Sequence, residues 1–131
     1  MPGRYGIDTS ILVRLLTGDP EREFAATVET LTALVDDGAE VFASNQVIGE
    51  AYVAIQHHYG VAKADARHAL ATVLSSGLAA PLGGAGVMAA IEATTGCGLL
   101  DRLIADGYRR AELVTLTFDR KMAALPDVRR I

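Results

Sequence analysis

Tyr5-Gly6-Ile7-Asp8-Thr9-Ser10-Ile11-Leu12-Val13-Arg14-Leu15-Leu16 is the stretch on which the fold class turns. Tyr5-Gly6-Ile7 reads as a short apolar strand that stops at Asp8. Ile11, Leu12, Leu15 and Leu16 then fall on one helical face, and Gly18 supplies a stop. Asp19-Pro20 predicts an N-cap followed by proline at the first helical position. The helix so opened sets Phe24, Val28, Leu31 and Val35 on one face, with Glu21, Glu29 and Asp36 on the other, and Gly38 ends it.

Working outward, the same grammar repeats. Glu40 to Ala43 predicts a second strand, and Ser44 predicts a cap for a helix over 45–59, with Val47, Ile48, Ala51, Tyr52 and Ile55 as its stripe. A helix over 62–74 turns Ala66, Leu70 and Val73 inward. Residues 78–82 predict a third strand, 87–95 and 99–111 two helices, and Leu113-Val114-Thr115-Leu116 a fourth strand. A short helix over 121–125 and an edge strand over 128–131 finish the chain. The alternation predicts one α/β domain over residues 1–131. Its mostly parallel central sheet of four to five strands would be flanked by helices on both faces.

The bulk numbers agree with a packed domain. The chain has 131 residues, 50% hydrophobic and 21% charged, which excludes a disordered tail. The net charge of −4 excludes a broadly basic nucleic-acid binder, so RNA contact would have to come from local patches. Cys97 is the only cysteine; it excludes an internal disulfide or a thiolate metal site and predicts a reducing, cytoplasmic setting. Residues 1–6 hold no apolar run of the kind a secretory leader needs. From His68 to Ile91 no residue is formally charged, but Ser75, Ser76, Gly77, Pro81, Gly83, Gly84 and Gly86 break that stretch. It therefore predicts buried structure rather than a membrane span.

Four acids fall where chemistry is expected. Ligands of open parallel sheets bind beyond the carboxyl ends of the strands. Asp8 follows the first strand and Asp119 lies three residues past Leu116. Glu50 and Asp101 sit at or beside apolar stripes of their helices, where a buried carboxylate needs a basic partner or a metal ion. Without these four, 12 acids balance 12 bases, so the acidic excess would reside in one site. Clustered carboxylates suit Mg²⁺ or Mn²⁺, and such a centre can activate water against a phosphodiester. Structural alternatives stand beside this: Asp8 and Asp119 as helix caps, Glu50 paired with an arginine across the core, Asp101 as a first-turn charge favoured by the helix dipole.

These residues also resemble a known family. Ile7-Asp8-Thr9-Ser10-Ile11-Leu12-Val13-Arg14-Leu15-Leu16 resembles the opening of PIN-domain proteins. Asn45-Gln46-Val47-Ile48-Gly49-Glu50 resembles the helix supplying their second acid. Leu100-Asp101-Arg102-Leu103-Ile104-Ala105 and Leu116-Thr117-Phe118-Asp119-Arg120-Lys121 resemble their closing motifs. Among them the chain is similar to the VapC toxins of toxin–antitoxin modules. The resemblance implies an Mg²⁺- or Mn²⁺-dependent ribonuclease, a VapB-type antitoxin that covers its site, and a homodimer. It implies Asp8 and Asp101 as principal metal ligands, Glu50 and Asp119 as completing the acidic pocket, and Thr9 and Thr117 as supporting hydroxyls. The alternative is a PIN fold that binds RNA or protein without chemistry. Haloacid-dehalogenase phosphatases want an acid two residues after the first, where Ser10 stands, and receiver domains want paired acids and a lysine that are missing.

Other residues have plainer readings. Ser10 stands where many relatives of that family have Asn. Asp106 predicts a solvated helix position. His57 and His58 suit a helix C-terminus, and His68 a polar face. Gly83-Gly84-Ala85-Gly86 lacks the Lys and Ser/Thr of a phosphate loop. Arg14, Arg102, Arg109, Arg110, Arg120 and Lys121 are the cations proposed for RNA phosphates.

Overall fold

Local chemistry sets most element ends. Ser44 Oγ accepts the Val47 N–H at 3.2 Å to open the helix Asn45–Tyr59, and Gly60, at φ 65°, closes it in the left-handed region that a side chain disfavours. The computed structural model describes residues 3–131, and Met1 and Pro2 lie outside the described residues. In chain order its elements are β1 (Arg4–Gly6), α1 (Thr9–Thr17), α2 (Glu21–Asp36), β2 (Glu40–Ala43), α3 (Asn45–Tyr59), α4 (Lys63–Leu74), β3 (Ala80–Pro81), α5 (Ala85–Glu92), α6 (Leu99–Arg110), β4 (Thr115–Thr117), a 3₁₀ turn (Met122–Ala124) and β5 (Val128–Arg130). The helical stripes read from spacing supply Leu12 of α1, Ile48 and Ile55 of α3 and Leu70 of α4 to the core, and Ile91 of α5 and Leu99 of α6 are fully buried beside them. Helix α3 is the centre, packed by α1, α4 and α6. Gly49 permits the last of these contacts, since a Cβ there would meet Leu100 Cδ2 at 3.1 Å.

The start of α2 differs from expectation by one residue. Pro20, with extended backbone (φ −69°, ψ 147°), occupies the cap position and offers no side-chain bond. Asp19 is therefore outside the helix. Glu21 and Glu23 in the first turn favour the positive end of the helix instead.

The sheet departs further. A central sheet of four to five strands is not what forms. Strands β1, β2 and β3 make one parallel sheet in that order, with Tyr5 opposite Val41 and Phe42 opposite Ala80. Strands β4 and β5 make a separate parallel pair, with Thr115 opposite Val128. Nor are helices laid over both faces throughout, because all three residues of β1 are exposed. The fourth strand misled through composition. Its apolar run reads as a buried parallel strand, yet Leu113, Val114 and Leu116 are more than half exposed and only Thr115 points inward. The α/β class stands: six helices with parallel strands. No helix among the described residues is long and apolar enough to cross a membrane.

Candidate active site

Asp8 leaves the end of the first sheet and becomes the N-cap of α1. Its Oδ1 accepts the Ser10 hydroxyl at 2.6 Å and the Ile11 N–H at 3.1 Å. The Ser10 hydroxyl first, and then the Ile11 amide, hold its carboxyl below the ordinary value of 3.8. Capping and ligation are compatible here. The bonds engage Oδ1, and Oδ2 takes no protein hydrogen bond among the described residues.

Glu50 is exposed, not set into an apolar stripe. The buried face of α3 is carried by Ile48, Gly49, Ala51, Tyr52 and Ile55, and position 50 is rotated away from it. No arginine pairs with it among the described residues. Instead Thr9 Oγ1 donates to Glu50 Oε1 at 2.8 Å, and Gln46 Nε2 donates to Oε2 at 3.0 Å. The Thr9 bond links residues 41 positions apart and sets Glu50 against the first turn of α1, whose cap is Asp8.

Asp119 is exposed between β4 and the 3₁₀ turn and accepts from the Lys121 and Met122 amides at 3.2 and 3.3 Å. Thr117 Oγ1 in turn accepts the Asp119 N–H at 3.0 Å. Asp119 thus does cap its turn, and Thr117 fixes the turn that carries it. Asp101 is half-buried in the first turn of α6 and opens on a cleft of about 920 Å³ between α3, α4 and α6. Glu50 instead opens on a second groove, of about 960 Å³, between α3 and α6. Val53 and Leu100 line both. Among the described residues no three His, Cys, Asp or Glu side chains gather closely enough to hold one ion together. The structure therefore brings Asp8, Thr9 and Glu50 together, and Thr117 with Asp119, and leaves Asp101 on its own cleft.

The donor set suits a hard cation. All candidates are carboxylates or hydroxyls, and Mg²⁺ is commonly held by one or two carboxylates with waters filling the remaining positions. Asp8, ionised with a free oxygen, and Glu50, oriented by Thr9 and Gln46, meet that minimum.

Asp106 departs from its expected solvated position. It is not solvated but 4% exposed. Asn45 Nδ2 and Arg110 Nε each donate to its Oδ2 at 2.9 Å, and Arg109 lies 3.9 Å from Oδ1. The i,i+4 spacing to Arg110 was the available signal. The bond to Asn45 was not legible, because it joins the start of α3 to α6 across 61 residues. His57 and His58 do close α3, and Cys97 is buried.

Compared with known proteins, the chain matches the family described as PIN domain over residues 5–128. No curated protein and no solved structure matches it.

Proposed function

We propose, from the premise that this chain belongs to the PIN-domain family, that it is a metal-dependent ribonuclease built on Asp8, Glu50, Asp101 and Asp119. PIN domains are generally metal-dependent nucleases. The observation that carries the reading here is the Thr9–Glu50 hydrogen bond, which joins two of the family-matching motifs into one oxygen-rich site beside Asp8. Asp8 and Asp101 act as principal ligands, and Glu50 and Asp119 complete the acidic pocket. A bound Mg²⁺ or Mn²⁺ supplies Lewis-acid activation of the phosphodiester and of an attacking water. The chain's own part is positional. Ser10 and the α1 amides keep Asp8 ionised, Thr9 and Gln46 hold both oxygens of Glu50, and Thr117 shapes the turn presenting Asp119. Size and motif order further support a VapC-type toxin acting in the cytoplasm, paired with a VapB-type antitoxin and itself homodimeric.

Purified protein is expected to cut total cellular RNA into discrete fragments with Mg²⁺ or Mn²⁺ and to stop on addition of EDTA. Cleavage that continues unchanged in EDTA would remove the metal from the proposal. Thr9→Val tests the carrying observation. Losing an orienting partner of a metal ligand typically costs about 10–100-fold, so cleavage should fall by that much. The bond is exposed, so thermal stability should change by less than about 0.5 kcal/mol. Full activity in Thr9→Val would detach Glu50 from the chemistry.

A second reading, an RNA- or protein-binding PIN fold without catalysis, is favoured by the observation that, among the described residues, no three acids gather closely enough to hold one ion. It would prevail if folded, metal-supplemented protein bound RNA and cut none.

A further inference from the structure

We propose that Phe118 is an RNA-stacking residue: its ring receives a base of the substrate strand beside Asp119, and Arg120 and Lys121 meet the adjoining phosphates. The inference rests on the ribonuclease reading and deepens it by naming a contact surface at the end of β4, outside both helical clefts.

Phe118 stands in water on a backbone that is held. It is 79% exposed, the highest value for a large hydrophobic side chain among the described residues. The Ile131 N–H donates to the Thr117 carbonyl at 3.0 Å, and Arg130 Nε donates to the Phe118 carbonyl at 3.1 Å. Thr117 Oγ1 accepts the Asp119 N–H at 3.0 Å. The end of β5 thus clamps the chain around the ring, which is presented one residue from a proposed metal ligand. Leu116 and Ile131, also exposed, extend the apolar surface. Aromatic rings so presented bind nucleic-acid strands, because every base has a π face to stack on them.

Charge favours RNA as the occupant over a purely apolar partner. Residues 117–131 carry four cations and two acids, whereas residues 1–116 carry eight and fourteen. The turn is therefore a local basic patch on an acidic body. Of the six cations that the sequence assigns to phosphates, four are committed elsewhere. Arg14 pairs with Glu23 at 2.8 Å, Arg102 donates to the Thr95 and Cys97 carbonyls, and Arg109 and Arg110 face Asp106. The other two, Arg120 and Lys121, follow Phe118 directly. Both are exposed, and among the described residues neither is in an ion pair. Arg130 uses Nε for the Phe118 carbonyl and keeps its terminal nitrogens for a further acceptor. A ring set among such cations suits a ligand that is both planar and anionic, as a nucleotide is.

The test is RNA binding in the Asp8→Asn background with Mg²⁺, so that RNA survives. The probe is a short fluorescein-labelled RNA of mixed sequence, followed by anisotropy over a range of salt. A second version carries 5-iodouridine for photocrosslinking. Phe118→Ala should weaken binding about fivefold or more with the salt slope unchanged, as loss of a stacked base does. Phe118→Leu, which keeps apolar bulk without a ring, should weaken it as much, and Phe118→Tyr should bind like the parent. Lys121→Gln should flatten the log–log salt slope by about 0.7, the loss of one phosphate contact. Crosslinks should map to Phe118. All these variants should melt with the parent, because the side chains are exposed. Arg22→Gln, a cation of α2, should leave binding as it was. Parental binding by Phe118→Ala or by Phe118→Leu would overturn the inference. If Phe118→Ala bound RNA normally but turned a dimer into a monomer, the surface would belong to a second copy of the chain instead. Cleavage of total RNA by unmutated protein keeps the two levels apart. Intact cleavage with unaffected Phe118 variants removes the stacking residue alone, and absence of both cleavage and binding removes the ribonuclease as well.

Discussion

Asp8→Asn protein is expected to fold, melt close to the parent and lose more than about 100-fold in Mg²⁺-dependent RNA cleavage, since losing a ligand should exceed the effect of losing its supporting partners. The substitution separates the two roles of this residue. Asn caps helices about as well as Asp, so the bond to Ile11 and the start of α1 survive. What disappears is the negative charge that a divalent ion requires. The pH dependence gives a second readout. The Ser10 hydroxyl and Ile11 amide lower the folded-state pKa of Asp8 below the ordinary 3.8. A depressed pKa contributes stability that is present above the unfolded-state value and is lost as pH falls through the folded-state one. Melts of parent and variant should therefore converge in acid below that range and keep their small difference above it. Near-normal cleavage by Asp8→Asn would sink the site assignment. Asp101→Asn belongs in the same experiment. Loss of cleavage there ties the α6 cleft to the chemistry, and retention would confine the centre to Asp8 and Glu50.

Asp106→Ala should be the more damaging change to stability. Removing one partner of a buried ion pair costs about 3–5 kcal/mol when the other is stranded. Here the Arg110 side chain is 41% exposed and can turn to water, and Asn45 Nδ2 keeps its bond to the Leu103 carbonyl at 2.9 Å. The expected loss is therefore lower, about 2–3 kcal/mol, or roughly 10 °C in melting temperature for a chain of this size. Asp106→Asn should lose about half as much, because it still offers an acceptor to one of the two donors. Well below the transition, Asp106→Ala protein should still cleave RNA, which distinguishes this acid from Asp101, earlier on the same helix. A melting temperature within a degree or two of the parent would show that the contact does not pin α6 to α3.

The two acids of α6 show where reading the chain succeeded and failed. Asp101, among Leu99, Leu100, Leu103 and Ile104, reads as lying at or beside a buried stripe, and Asp106 reads as a solvated position. In the structure Asp101 is half-buried and Asp106 nearly inaccessible. Helical phase alone does not say which neighbouring element covers a face, and the cover of Asp106 comes from α3 and from its own Arg110. Glu50 failed for a related reason. Its stripe was identified correctly, but the carboxylate lies one position off it and meets Thr9 from another helix.

Most of what neighbours within one turn set was determined by the sequence itself: the Ser44 cap, the Gly18 stop, the α/β order and the motifs at Asp8, Asp101 and Asp119. Capping, periodicity and turn chemistry act over three or four residues, so they can be read along the chain. The tertiary structure decided the rest. It divided the strands into two sheets: among the described residues β4 pairs with β5 alone, and Leu116 faces outward. It joined Thr9 to Glu50 and Asn45 to Asp106, and it put Asp101 on a cleft between α3, α4 and α6 and Glu50 on a second groove that shares Val53 and Leu100 with it. Those contacts link positions tens of residues apart, and their existence depends on the packing of whole helices, to which local spacing is blind.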